Sequence, residues 1–347
     1  MQGKYEHYFL GANSSHGFFS LYDDFAKERS GDMLRIIKGG PGCGKSTFMR
    51  KIAAYAETLG SSVEYIHCSG DADSLDGIYI KEARLAYVDG TSPHVIEPAL
   101  PGAAGSYLDL GFVIRESVRT ERDAIADLFD AYRGEYQKAY SLLRAYSILT
   151  EKKPQNTDLI CSDAAAFAEM NLSELPYFRE KKRFLSSFGG DGGKTLWETA
   201  DNVGALTVLR GSAEENDVYL RSVYAARVRH GGAVICCFDP LCPNLLQALL
   251  FPEEKIVLFS STEVFPAPDG SSAQKAAVSE EALARQSILS LAQSFLRKAK
   301  ERHDELEALY RPHLDFSGVD SLLAAEEERL RRLLASEQNE LKGVQKL

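Results

Sequence analysis

Leu34-Arg35-Ile36-Ile37-Lys38-Gly39-Gly40-Pro41-Gly42-Cys43-Gly44-Lys45-Ser46-Thr47 is the stretch on which the fold turns. Leu34 to Lys38 form a short apolar run of strand type. From Thr47 to Leu59 a helical pattern sets Phe48, Ile52, Ala53 and Ala56 on one face. Between them lies G-x-x-x-x-G-K-[ST], the P-loop pattern, in the strand-to-helix context that gives it meaning. Its glycines let consecutive backbone N–H groups converge on phosphate oxygens. The helix start adds a partial positive charge. Lys45 is placed to reach β- and γ-phosphates, as a catalytic residue, and the Ser46 hydroxyl to ligate Mg²⁺. The expectation is a nucleoside triphosphate, ATP with Mg²⁺, held by Gly39, Gly40, Pro41, Gly42, Cys43, Gly44, Lys45, Ser46 and Thr47. Cys43 occupies a free position of the loop, as a neutral filler or as a redox handle.

A second strand-like run, Arg84-Leu85-Ala86-Tyr87-Val88-Asp89, ends in an aspartate followed by Gly90-Thr91. With the P-loop upstream, Asp89 is expected to share the Mg²⁺ with Ser46. The plainer alternative is a strand capped by an Asp-Gly turn. No glutamate follows Asp89 to activate water. The substitute is the acidic loop after Val63-Glu64-Tyr65-Ile66-His67-Cys68, with Asp71, Asp73 and Asp76. Ligands of open α/β sheets sit at the carboxyl ends of strands, which makes Asp73 and Asp76 the candidate catalytic carboxylates. The same loop also reads as a solvated cap of a short helix at Ser74. His67 reads as a structural strand-end residue rather than a catalyst. The lack of an N-K-x-D motif disfavours GTP, and no transporter-type L-S-G-G-Q occurs.

The chain has 347 residues, enough for two domains. Hydrophobic residues make up 44%, ordinary for a globular protein. A net charge of −10 argues against a general binder of nucleic acid, whose affinity rests on clustered Lys and Arg. No stretch approaches the ~20 apolar residues of a membrane helix, so no membrane partner is expected. Met1 to Phe9 lacks a signal-type apolar run. Cys43, Cys68, Cys161, Cys236, Cys237 and Cys242 read as reduced thiols of a cytoplasmic protein. The Cys236-Cys237…Cys242 cluster lacks the paired spacing of zinc sites and reads as buried strand cysteines.

The second half repeats the first at a spacing of about 170 residues, with small gaps. Phe9-Leu10-Gly11 and Ser20-Leu21-Tyr22-Asp23 match Phe184-Leu185-Ser186 and Thr195-Leu196-Trp197-Glu198. Arg35 to Gly39 match Thr207 to Gly211, and Phe48-Met49-Arg50 match Tyr219-Leu220-Arg221. His67-Cys68 match Cys236-Cys237, and Leu85 to Thr91 match Ile256 to Thr262. The chemistry is not repeated. Against Gly-Gly-Pro-Gly-Cys-Gly-Lys-Ser stands Gly211-Ser212-Ala213-Glu214-Glu215-Asn216-Asp217-Val218, which sets Asp217 against Lys45, and Ser260 stands against Asp89. Three carboxylates repel a triphosphate. Arg210, Arg221, Arg227 and Arg229 read as surface residues or as a source of an arginine finger. Charged amphipathic segments, Phe112 to Thr150, Ser279 to Tyr310 and Gly318 to Leu341, read as helical arms. They are packed on the sheets or serve a protein partner. Pro266 to Ser272 reads as a loop.

Four elements of sequence carry a family resemblance: Gly39 to Thr47; His67-Cys68 with Asp73-Ser74-Leu75-Asp76-Gly77; Asp89-Gly90-Thr91-Ser92-Pro93-His94-Val95-Ile96-Glu97-Pro98; and His303-Asp304-Glu305-Leu306-Glu307 with Tyr310-Arg311-Pro312 and Asp315-Phe316. In these the chain resembles, over nearly its whole length, a bacterial family of uncharacterised tandem P-loop proteins, regarded at most as ATPases. Members usually carry a P-loop in both halves, and this chain departs from that in the second. The resemblance implies nucleotide binding and a duplication, and no biological role.

The expected fold class is α/β, with two tandem P-loop NTPase-like parallel-sheet domains, each followed by a helical arm. The expected division is a nucleotide-binding domain at 1–111, an arm and linker at 112–180, a degenerate repeat at 181–270 and a C-terminal arm at 271–347. The leading functional expectation is an ATPase working in the first half, with a nucleotide-free second half. The alternatives are a small-molecule P-loop kinase and a nucleotide-gated interaction protein with negligible turnover.

Overall fold

The computed structural model describes residues 5–93, 95–268 and 280–344, of which 337–344 by backbone alone. His94, Ser279 and the Asp269–Ser272 part of the expected loop lie outside the described residues. The first copy runs β1 (Tyr5–Phe9), the hairpin β2 (Gly11–Ser14) and β3 (Gly17–Ser20), β4 (Met33–Lys38), α1 (Lys45–Thr58), β5 (Val63–His67), β6 (Leu75–Ile80), β7 (Leu85–Asp89) and β8 (Gly105–Asp109). Helices α2 (Arg122–Thr150) and α3 (Thr157–Asn171) follow. The second copy runs β9 (Phe178–Arg183), the hairpin β10 (Ser186–Gly189) and β11 (Gly192–Thr195), α4 (Trp197–Val203), β12 (Ala205–Leu209), α5 (Ala213–His230), β13 (Gly232–Phe238), β14 (Leu246–Phe251) and β15 (Ile256–Ser260). Helices α6 (Glu280–Tyr310) and α7 (Val319–Val344) end the chain. The chain folds as two compact units that interleave in sequence. One comprises Met1–His7, Tyr22–Arg133 and Ala299–Leu347, the other Tyr8–Leu21 and Gly134–Lys298.

The first unit is built on a sheet of order β1-β5-β6-β7-β4-β8. Strand β4 is parallel to β7 and β8, whereas β6 is antiparallel to both β5 and β7. The expectation of a parallel sheet is thus corrected to a mixed one. The reason lies in the connections: Cys68 to Ser74 and Lys81 to Arg84 are too short for the crossover that parallel neighbours need, and so make hairpins. Helix α1 buries Phe48, Met49, Ile52, Ala53 and Ala56 on Ile37, Ile78, Leu85, Tyr87 and Leu108. The apolar face of α7, with Leu322, Leu323, Leu330, Leu333 and Leu334, packs on the same cluster. Buried Glu326 of α7 is satisfied by the Arg35 guanidinium at 2.7 Å and the Tyr87 hydroxyl at 2.9 Å, as a buried carboxylate requires. This arm is therefore core structure of its unit.

The second unit repeats the order as β9-β13-β14-β15-β12, with β12 parallel to β15 and β14 antiparallel to its two neighbours. Helices α3 and α5 cover one face, burying Ala164, Ala168, Leu220, Val223 and Ala226 with Val234, Leu249 and Leu258. Fine detail repeats as well. The turn before β7 holds Arg84 at a positive φ of 47°, and the turn before β15 holds Lys255 at 58°. In each copy that residue's carbonyl accepts the N–H that opens the next strand: Met33 to Arg84 and Ala205 to Lys255, both at 2.8 Å. The hairpins close alike, Leu21 N–H on Leu10 and Leu196 N–H on Leu185. Cys236 and Cys237 are buried in β13 as expected, and all six cysteines are free thiols. Among the described residues no helix is long and apolar enough to cross a membrane.

Candidate phosphate site

The loop between β4 and α1 is shaped by its glycines. Gly42 and Gly44 have φ of +70° and +81°, a region that other L-residues enter at a cost. Other segments pack closely against the loop. A Cβ on Gly40 would come 3.0 Å from Ile114 and 3.3 Å from the Tyr310 ring, and one on Gly39 would meet Leu110 at 3.4 Å. Leu314 and Glu307 lie beside Gly42, and Phe316 beside Gly44. This wall is tied together where Ile114 and Leu314 bridge as antiparallel strands. Arg115 N–H donates to His313 O, Asp315 N–H donates to Val113 O, and the Arg115 guanidinium meets Asp315 at 2.8 Å. That ion pair holds the Asp315 carboxyl well below the usual range.

Helix α1 starts without help from a side chain. Gly44 is its N-cap, no side-chain cap bond is made, and its first turn carries no acidic residue. The opening N–H groups of a helix have no partner within it, and no side-chain cap supplies one here. Lys45 folds back over the loop, its Nζ 3.1 Å from the carbonyls of Gly39 and Gly40 and 3.6 Å from Asp89 Oδ2. Ser46 Oγ accepts the Leu75 N–H at 3.0 Å. Asp89 Oδ1 accepts from the Thr91 N–H and hydroxyl at 2.8 and 2.6 Å. Lys45, Ser46 and Asp89 are therefore brought together. Cys43 is buried in the loop, and burial pushes its thiol up, which suits a filler and not a reactive thiolate.

Asp76 is not in a loop, nor does a helix start at Ser74. Asp76 is the second residue of β6 and is buried. The run Leu75-Asp76-Gly77-Ile78-Tyr79-Ile80, bounded by turn residues, was the strand signal to be read there. Pairing of β6 with β7 ends at Gly77 and Val88, so Asp76 and Asp89 each stand one residue beyond it, at the same edge of the sheet. The Tyr22 hydroxyl donates to Asp76 Oδ2 at 3.2 Å. Burial, then Asp76, raises both the Tyr22 hydroxyl and the Cys68 thiol well above their ordinary values. Asp73 is exposed on the turn before β6, where its carbonyl accepts from Arg50 and its N–H donates to Asp71 at 3.3 Å. His67 ends β5, and both its ring nitrogens are engaged, by His7 at 2.9 Å and the Ala72 carbonyl at 2.6 Å.

The second copy shows what the same framework does without the motif. Ser46 takes the Leu75 N–H; Asp217 takes the Leu246 N–H at 2.7 Å. Arg50 donates to the Asp73 carbonyl; Arg221 donates to the Asn244 carbonyl. Lys45 faces Asp89; the Asn216 amide donates to Ser260 at 2.9 Å. The residue matching Lys45 is therefore Asn216, and Asp217 matches Ser46, which corrects the ungapped alignment by one position. Gly39 to Gly44 link the strand to Lys45, but only Gly211 to Glu215 link it to Asn216, one residue fewer. Helix α5 starts at Ala213, before the position that matches Lys45. Its N-cap Ser212 and Glu215 form a reciprocal capping box, at 3.2 and 3.0 Å. The Ser212 N–H, first of all, holds the Glu215 carboxyl below its ordinary range. A carboxylate of the chain itself thus sits where the first copy leaves its helix open. Arg221 pairs with Asp217 at 2.7 Å, and Arg227 is buried against Glu254 at 2.7 Å. Arg221 is half-exposed, as a surface residue, whereas Arg227 is fully buried, which corrects the expectation of a surface position for it.

Sequence reasoning missed the Leu75 N–H that anchors Ser46, the Tyr22 bond to Asp76 and the wall of Tyr310, Leu314 and Phe316. The Asp89–Thr91 bonds were readable from Asp-Gly-Thr, a local turn. No protein-family model, no curated protein and no solved structure matches this chain.

Proposed function

We propose that the first unit binds one Mg·ATP and hydrolyses it, and that the second unit binds none. The observation that carries this is the contrast between the two helix starts. One is glycine-lined, uncapped and served by Lys45, Ser46 and Asp89; the other is closed by its own carboxylate. In this reading the loop N–H groups and Lys45 take the β- and γ-phosphates. ATP is preferred to GTP because no N-K-x-D segment is present.

The donors fit a Mg²⁺ ion. Among the described residues no group of three or more His, Cys, Asp or Glu side chains could hold a metal. Mg²⁺ needs no such cage, because it keeps waters and takes one or two carboxylates with phosphate oxygens. Ser46 Oγ has accepted one hydrogen bond and has a second lone pair. Ser46 and Asp89 would hold the ion, which supplies charge neutralisation at the phosphates. Lys45 offsets the charge that builds as water joins the terminal phosphorus and the bond to the bridging oxygen breaks. The proton goes to a carboxylate. Asp76 is the better placed, at the sheet edge beside Asp89, whereas Asp73 lies on the exposed turn next to Arg50.

A second reading, a small-molecule kinase, is favoured by one feature. A groove of about 460 Å³ is lined by Tyr5, His7, Arg50, Glu57, Tyr65, His67 and Leu75. Arg50 is one helical turn beyond Ser46, so an acceptor in the groove lies close to the phosphates. Calorimetry with phosphate-release measurements tests these readings. One Mg·ATP per chain with steady release supports the ATPase. Transfer seen only with an added acceptor supports the kinase. Tight binding without turnover points to a nucleotide-gated interaction protein. Two nucleotides per chain refute the closed second site, and unchanged affinity in Lys45→Ala refutes the first.

A further inference from the structure

We infer that Phe316, together with Phe112, forms the platform on which the base of the bound nucleotide stacks. The inference rests on the phosphate site proposed above and adds the end of the ligand that site leaves unassigned. Strand β4 lies between β7 and β8. The β7 side of the loop carries Asp89, with Lys45 at 3.6 Å and Thr91 on its other oxygen. These are the groups for the metal and the terminal phosphate. A triphosphate with that end toward β7 must lead its nucleoside away from it, past the start of α1 and toward β8.

The surface on that side is aromatic. Phe316 stands at the N-cap of α1, with its ring edge 3.5 Å from where a Gly44 Cβ would be, and it is 50% exposed. Phe112 follows β8 by three residues, is 47% exposed and lies against Gly318, 3.5 Å from the position of its Cβ. Single exposed apolar side chains are normal. Here the two most exposed phenylalanines of the described residues are Phe316, against the loop at Gly44, and Phe112, which follows Gly111, itself 3.5 Å from the position of a Gly39 Cβ, and lies against Gly318, two residues from Phe316. Phe316 is also held in place. Its neighbour Asp315 is fixed by Arg115 at 2.8 Å, by the Val113 carbonyl at 2.7 Å and by the Ser317 N–H at 3.0 Å. An aromatic face held rigid at low entropic cost is what base stacking needs, and every base offers a π face. The ligand class is therefore a nucleoside triphosphate bound at both ends, and not an inorganic polyphosphate.

The test compares Mg·ATP with magnesium tripolyphosphate, which has the phosphates and no base, on the full chain by calorimetry. Phe316→Ala should weaken ATP by about tenfold or more and leave tripolyphosphate as in wild type. Phe316→Trp should restore ATP binding. It also adds a second tryptophan to the single Trp197, whose fluorescence ATP should quench and tripolyphosphate should not. Phe112→Ala should act in the same sense. The platform is overturned if Phe316→Ala binds ATP as wild type does, or if it loses both ligands by one factor, since Phe316 would then only brace the loop. If wild type binds neither ligand, the phosphate site itself fails and the platform with it.

Discussion

Exchanging the charged pair of the first unit for the neutral pair of the second tests the site and its energetics together. The variant is Lys45→Asn with Asp89→Ser. Asn216 and Ser260 already make this pair at 2.9 Å in the second unit, so the exchange asks for a geometry this framework accommodates. Lys45 Nζ and Asp89 Oδ2 are 3.6 Å apart, and both side chains are 13% exposed. At an effective dielectric of about 20, Coulomb's law gives about 4–5 kcal/mol of attraction at that distance. Desolvation of both charges offsets much of it, so a double-mutant cycle should return a coupling of about 1–2 kcal/mol. Each single variant leaves one mostly buried charge without its ionic partner, Asp89 with only Thr91 or Lys45 with only the Gly39 and Gly40 carbonyls, and should lower the urea midpoint of the first unit. The double variant should recover most of the loss. The ligand readout runs the other way. At about a hundred times Kd, Mg·ATP should add about 2.7 kcal/mol to wild type and nothing to Lys45→Asn or to the double variant. Zero coupling refutes the ion pair. A double variant that gains as much thermal stability from Mg·ATP as wild type refutes the phosphate role of Lys45.

Two further outcomes concern the second unit. Ser212→Ala removes one half of the capping box and should cost about 1 kcal/mol in urea unfolding, with Mg·ATP affinity unchanged; a loss of affinity would mean that the second loop takes part in binding. Asp239→Asn should show a pH-dependent gain. Burial pushes the Asp239 carboxyl up to about 6 from 3.8, although its Oδ1 accepts the Leu241 and Cys242 N–H groups at 2.8 and 2.9 Å. The folded chain then binds this proton more tightly than the unfolded one, so the group's contribution to stability falls as pH rises from about 4 to about 6. That rise corresponds to about 3 kcal/mol. The variant should equal wild type below about pH 4 and exceed it above pH 6 by up to that amount; a difference that does not change with pH overturns the assignment.

What was legible in the sequence was what local chemistry dictates. Gly42 and Gly44 must reach positive φ, so the loop between β4 and α1 is written in its glycines. The α1 face and the Asp89 turn are likewise short-range. Strand β6 is masked in the sequence by Asp71, Asp73 and Asp76, whose charge has the composition of a solvated loop, although Gly77-Ile78-Tyr79-Ile80 has strand composition. The parallel sheet expected from the motif gave way to hairpins set by connection length. The wall of the loop was not legible at all. Tyr310, Leu314 and Phe316 reach Gly40, Gly42 and Gly44 from the far end of the chain, and no local pattern records such a contact. The one-residue gap in the second loop was present in the sequence as two conflicting registers: Gly211 with Gly39, but Tyr219-Leu220-Arg221 with Phe48-Met49-Arg50.

On the proposed reading, that gap explains how one framework keeps its core without keeping the phosphate site. A P-loop needs enough chain between strand and helix to turn through two left-handed glycines and aim its N–H groups inward. Take one residue out and replace the glycines, and the shorter path is to begin the helix earlier, as α5 does at Ala213. An earlier start presents fresh N–H groups, and Ser212 with Glu215 satisfies them from within. The contacts that fix the helix to the sheet do not depend on a ligand. The helix still donates from Arg221 to the Asn244 carbonyl and still accepts the Leu246 N–H. Asp217 is a stronger acceptor for that N–H than the Ser46 hydroxyl, because a charged acceptor strengthens the bond. The same charge repels phosphate. On the proposed reading Ser46 anchors β6 as a neutral ligand beside the metal and the phosphates, whereas a carboxylate at that position would set a further negative charge against the triphosphate. In the second unit, where no nucleotide is proposed to bind, that constraint is absent and the stronger acceptor takes the place.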